Sequence, residues 1–172
     1  MAIVFELSAH FGSNEAAARQ FMERITERYR PFAVGQHMIE LHPPLLSTFR
    51  DVKADVCFEV SIIPMAVGFA VALDRDRPHL RLTSEELTEL GFNLYDLLQG
   101  LDGYQVAMVG WDVDRFDLVG LQVDYQEEIM DGSMDGLVVA HAQRHILSPS
   151  PHFIAFDAHH EWIPYRSTKA SA

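Results

Sequence analysis

The chain holds one cysteine, Cys57, so no disulfide can form within it. Long apolar runs are missing as well. The longest, Ile62 to Leu73, is twelve residues broken by Pro64 and Gly68, against the roughly 18 to 20 that a membrane-spanning helix needs. The opening residues, Met1-Ala2-Ile3-Val4-Phe5-Glu6, have no basic stretch ahead of an apolar one and do not read as a secretory signal. These absences predict a cytoplasmic protein without a membrane partner. No G-x-x-x-x-G-K-[ST] loop, no G-x-G-x-x-G turn and no G-x-S-x-G elbow occurs, which argues against nucleotide-dependent enzymes and the commonest hydrolase fold.

Positive charge is scarce in one long segment. Residues 82–136 contain thirteen Asp and Glu but a single basic residue, Arg115. The segments on either side are close to neutral, so this stretch holds essentially all of the chain's net charge of −12. Phosphate recognition draws most of its affinity from a basic stripe that releases counterions. Such a stripe is lacking, and nucleic acid and anionic lipid are therefore not the expected partners.

What is present is an ordinary globular composition, 172 residues of which 48% are hydrophobic and 22% charged. That suffices for one domain with its own core. The pattern predicts a single α+β domain over residues 1–166, with an antiparallel or mixed β-sheet and two helical segments packed mainly on one face. Residues 167–172 read as a disordered polar tail. Residues 2–7 are strand-like. A helix should run from about residue 15 to Tyr29, capped by Ser13 or Asn14, because Ala18, Phe21, Met22 and Ile25 repeat at helical spacing before Pro31. Residues 32–53 read as a short strand or an irregular crossing. Val56 to Ile63 alternates in the manner of a half-buried strand, and Met65 to Leu73 reads as a second, central strand in a hairpin with it. Thr83-Ser84-Glu85-Glu86 is a capping box that opens a second helix, with a bend expected at Gly91-Phe92-Asn93. Tyr104 to Gly110 and Leu118 to Tyr125 read as strands, Leu137 to Leu147 as strand then helix, and Phe153–Phe156 and Trp162–Tyr165 as short last strands.

Two groups of residues carry chemistry. In the acidic segment, Asp112, Asp114 and Asp117 flank Trp111 and Phe116, and Asp124, Glu127 and Glu128 surround Tyr125. Carboxylates interleaved with aromatics suit a surface that docks a basic protein: charge steers the encounter and an aromatic anchor fills the desolvated centre. This predicts a non-enzymatic binding protein, most concretely an immunity protein or inhibitor of a toxin or nuclease, with Trp111, Asp112, Asp114, Tyr125, Glu127 and Glu128 at the contact. The spacing Asp112-x-Asp114-x-x-Asp117 does not make a calcium loop. The competing reading is a solvated acidic face with Trp111 in the core.

The second group is histidine. Five of the nine histidines fall in the last 32 residues. If 140–147 is helical, His141 and His145 share a face at i, i+4, the spacing that suits one Zn²⁺, with His159, His160 or Glu161 as a third ligand. A metal-assisted hydrolase would then use Glu161 or His159 as its acid–base group. A third alternative is a small-molecule binding domain whose apolar pocket is lined by Met65 to Leu73. Trp162 and Tyr165 are expected to close the core. Cys57 reads as a buried, inert thiol unless a histidine adjoins it.

Overall fold

In the computed structural model the described residues are 2–51, 53–75, 77–113 and 116–166. They form an α+β domain around one antiparallel sheet of seven strands, with a separate two-stranded ribbon. The first strand, β1 (Phe5–His10), lies third in the sheet and is buried along its whole length. Successive side chains of a strand point to opposite faces. Phe5, Leu7 and Ala9 therefore enter the main core, and Glu6, Ser8 and His10 lie on the other face, also buried.

Helix α1 (Glu15–Glu27) follows, capped by Asn14, whose side chain accepts the Ala17 amide. Ala18, Phe21 and Ile25 form its buried stripe, as their spacing predicts. Residues 32–53, where the sequence is least regular, contain three strands: β2 (Phe32–Val34) and β3 (His37–Ile39) form the ribbon, and β4 (Leu45–Arg50) joins the sheet. Strand β5 (Val56–Ile62) pairs with β4 on one side and β1 on the other, with Leu7 opposite Ile62.

Met65 to Leu73 is not a strand, and the hairpin partner of β5 is β4. Ala66 and Ala70 adopt left-handed backbone, φ 62° and 53°, which extended pairing does not admit. Among the described residues, the segment's β structure is limited to an isolated bridge from Phe69 to Ile3, with another from Leu41 to Pro64 just before it. The loop instead closes on Asp74, whose carboxylate accepts the Ala66 amide at 2.9 Å and meets His42 Nε2 at 2.7 Å. A run of apolar residues marks burial, and here the burial is that of a folded loop.

Helix α2 (Ser84–Leu98) opens with both bonds of the predicted capping box between Thr83 and Glu86. It runs through the expected bend without a break. Gly91 serves packing there: a Cβ at this position would stand 2.6 Å from the Tyr165 ring. Strand β6 (Val106–Trp111) pairs with β1, Leu7 facing Val109. Leu118 to Tyr125, expected to be a strand, is the helix α3 (Leu118–Asp124), followed by α4 (Gln126–Asp131). The reason lies one residue upstream, where the Asp117 carboxylate accepts the Gly120 amide as an N-cap and Leu118 and Leu121 then share the buried face.

Strand β7 (Val138–Ala140) pairs with β6, and the helix expected after it is a turn and a single 3₁₀ turn over Arg144–Ile146. The sheet ends with β8 (Ile154–Ala155) and β9 (His160–Trp162), in the order β4-β5-β1-β6-β7-β9-β8. Helices α1 and α2 share one core with Leu7, Ala107, Val109 and Val138, which places both on one face of the sheet. The neighbouring strand residues Val106 and Val139 point the other way and pack with Leu118, Leu121 and Ile129, so α3 and α4 cover the opposite face. The expected polar tail, 167–172, lies outside the described residues. Among the described residues no helix is long and apolar enough to cross a membrane.

Candidate functional site

The residues expected at a partner interface fall into two groups, and Asp114 lies outside the described residues. Trp111 ends β6 with 38% of its surface exposed. Its ring meets Phe5 edge-on at 5.2 Å and lies nearly parallel to Phe69 at 6.0 Å. Asp112, directly after it, is held at φ 49°, and its Oδ1 accepts the Val4 amide at 2.8 Å while its own amide donates to the Val4 carbonyl. That carboxylate fastens the end of β6 to the strand-like N-terminal segment.

Tyr125, Glu127 and Glu128 belong to the α3–α4 layer. Tyr125 sits at the junction of the two helices, 36% exposed, its ring 5.4 Å from Phe116. Val123 and Met130 are more exposed still, at 69% and 53%. Asp124, Glu127 and Glu128 are exposed, and among the described residues their carboxylates have no hydrogen bond or ion pair. Other acids of the segment are committed: Asp117 caps α3, Asp102 pairs with Arg24, Asp131 accepts the Ser133 amide and Asp135 that of Arg166. The charge that remains available on this layer therefore gathers around Tyr125, Val123 and Met130.

The turn that replaces the expected helix sets His145 apart, while His141, His159 and His160 come to one hollow. Because 140–147 is not α-helical, His141 and His145 do not share a helical face. His141, His159 and His160 line a hollow of about 440 Å³ together with Asn14, Asp102, Gln105 and Gln143. Glu161 faces Arg144 at 3.4 Å, and Trp162 and Tyr165 pack on Tyr95 in the core as expected. His160 is buried, stacked flat on Tyr104 at 4.1 Å, with Nδ1 at 2.9 Å from Asp157 Oδ1. Burial pushes this imidazole below its ordinary pKa against the pull of the carboxylate. Burial also opposes the charge of Asp157, yet hydrogen bonds from the His159 amide, the His160 ring and the Gly100 amide outweigh it and hold the acid below the usual carboxylate range. This pair locks the turn into β9. Among the described residues no group of three His, Cys, Asp or Glu side chains is placed to hold a metal ion.

Cys57 is buried, and burial, reinforced by the carboxylates of Asp51 and Asp117, raises its thiol above the ordinary value. That environment disfavours the thiolate a nucleophile needs. On the same face of the sheet, the buried His10 accepts the Gly12 amide on Nδ1 at 3.3 Å.

The groove beside Trp111 has a volume of about 680 Å³ and is lined by Val67 and Phe69, from the 65–73 segment expected to line an apolar pocket, and by His79, Leu80, Arg81, Leu82 and Leu87. Phe69 is half exposed, and the His79 ring stacks on it at 4.3 Å. The loop over 64–75 presents Phe69 here. The signals in the sequence are the apolar segment Met65 to Leu73, which holds Val67 and Phe69, and the alternation His79-Leu80-Arg81-Leu82 after it.

No family model, curated protein or solved structure matches the chain.

Proposed function

We propose that this protein is a non-enzymatic binding protein that docks a basic protein partner through the surface of α3 and α4. The most concrete form is an immunity protein or inhibitor that covers the cationic site of a toxin or nuclease. One observation carries the reading: Tyr125, Val123 and Met130 are exposed together in a helix pair whose carboxylates Asp124, Glu127 and Glu128 have no partner among the described residues. Exposed apolar side chains ringed by uncommitted charge of one sign suit a contact that steers electrostatically and anchors on an aromatic. A carboxylate used only for solubility needs no apolar neighbour at its side. Asp112 belongs to the framework in this account, since its charge is spent on the Val4 amide.

The test is capture on the immobilised full chain at low salt, run in parallel with the Glu127→Lys, Glu128→Lys double variant. A basic protein retained in stoichiometric amount by the parent, released as salt rises and lost from the variant, is the expected result. In kinetics at about 50 mM salt, the variant should associate roughly tenfold more slowly. Equal association of the two proteins at low salt contradicts the assignment.

A further inference from the structure

The groove beside Trp111 is lined by none of the described residues of α3 and α4. Its wall holds two rings that water touches, Phe69 at 51% and Trp111 at 38% exposure, with the His79 ring stacked on the first. The backbone is strained immediately after each exposed ring. Ala70 and Asp112 both take left-handed conformations, φ 53° and 49°, without being glycine, at a cost of about 1–2 kcal/mol per residue. Each is fixed where it stands. Phe69 exchanges two backbone hydrogen bonds with Ile3, at 2.8 and 2.9 Å, and Asp112 is held by Val4 through its backbone amide and its carboxylate. Strain that turns apolar rings outward on a rigid frame is the pattern of a preformed recognition surface.

The charge of the groove is opposite to that of the molecule. None of the described acidic residues lines it. Its charged lining residue is Arg81, exposed and, among the described residues, without a hydrogen bond or ion pair. Of the acids on the first turns of α2, Glu86 is turned to the Thr83 amide, Glu89 to that of Gly35, and the exposed Glu85 does not line the groove. A flat apolar wall, a single uncommitted guanidinium and a volume within the range of ligand sites define the occupant by chemistry.

We propose that this groove binds a small planar aromatic anion, its ring against Trp111 and Phe69 and its carboxylate on Arg81. The probe is 1-naphthoate, with the neutral amide of the same shape, 1-naphthamide, as control. Calorimetry on the full chain should give saturable binding of the anion with a Kd below about 1 mM. The amide should bind about fivefold or more weakly, and Arg81→Gln should reduce the anion's affinity to that of the amide. In NMR, the indole N–H of Trp111 should shift on titration while that of Trp162, packed on Tyr95 and Phe156, stays in place. Because Arg81 is exposed and makes no hydrogen bond or ion pair among the described residues, its variant retains the fold, which the unchanged Trp162 signal verifies. Absence of saturation at millimolar probe overturns the proposal, as does equal affinity for anion and amide. Self-association in sedimentation that is abolished by Phe69→Ser overturns it too, by assigning the groove to a second copy of the chain.

Discussion

Three buried side chains show how single residues set the stability of this fold. Asp74 serves His42 and the Ala66 amide at once. Removing a buried partner leaves donors that neither water nor protein satisfies. Asp74→Ala should therefore cost about 3 kcal/mol in urea unfolding, whereas a change below about 0.5 kcal/mol would mean the loop closes without it. His10 accepts the Gly12 amide on Nδ1, so protonating that nitrogen breaks the bond, and burial lowers its pKa, as it does for His160. A group whose folded pKa is depressed binds more protons when unfolded, so stability falls as pH drops below the ordinary imidazole value of about 6.5. The urea midpoint should be flat from about pH 8 to about 7 and decline from there toward about pH 5, with a shallower slope in His10→Gln. A midpoint constant across that range would show that neither ring is held neutral. Of these three residues the sequence singles out only His160, and for another role, as a metal ligand. The partner of Asp74, His42, lies 32 residues away and only the closed fold joins them, whereas His10 meets the Gly12 amide two residues on, in the turn after its strand.

Among the elements, those whose ends carry their own chemistry are legible in the sequence. Helix α1 has its cap at Asn14 and a buried stripe at helical spacing, and α2 has a complete capping box. Gly91 in the middle of α2 tests packing against propensity. Alanine gains about 1 kcal/mol in helix propensity, but its Cβ would meet the Tyr165 ring at 2.6 Å, and overpacking costs about 1–3 kcal/mol. Gly91→Ala should thus destabilise the protein in urea unfolding, by about 1 kcal/mol net. A more stable variant would show that Tyr165 moves aside freely. Where local chemistry is ambiguous, the apolar pattern misleads. Leu118-Val119-Gly120-Leu121-Gln122-Val123 has strand composition, and only the Asp117 cap makes it α3. Met65 to Leu73 has the apolarity of a central strand, and only the left-handed backbone at Ala66 and Ala70 makes it a loop. Composition reports burial well, and it reports backbone path poorly when short polar residues or alanines decide the turn.

The molecule as a whole divides its acidic charge between structure and surface. Many carboxylates of the 82–136 segment cap helices or hold turns, so counting charge along the chain overstates what a partner meets. The two halves of the expected contact also separate. Trp111 faces a groove with no acidic lining among the described residues, and Tyr125, Glu127 and Glu128 stand on the α3–α4 layer. The sign of the field is legible in the sequence. Its placement is not, because the groups that engage Asp112 and Asp102 come from Val4 and Arg24, 108 and 78 residues away along the chain. The deciding measurement is the salt dependence of association between the captured basic protein and two forms of this chain, the parent and Glu127→Lys, Glu128→Lys. Docking through α3 and α4 requires a rate that falls steeply with salt for the parent, and a slower, flatter dependence for the variant. Superimposable curves would contradict it and leave the α3–α4 carboxylates as solvated surface.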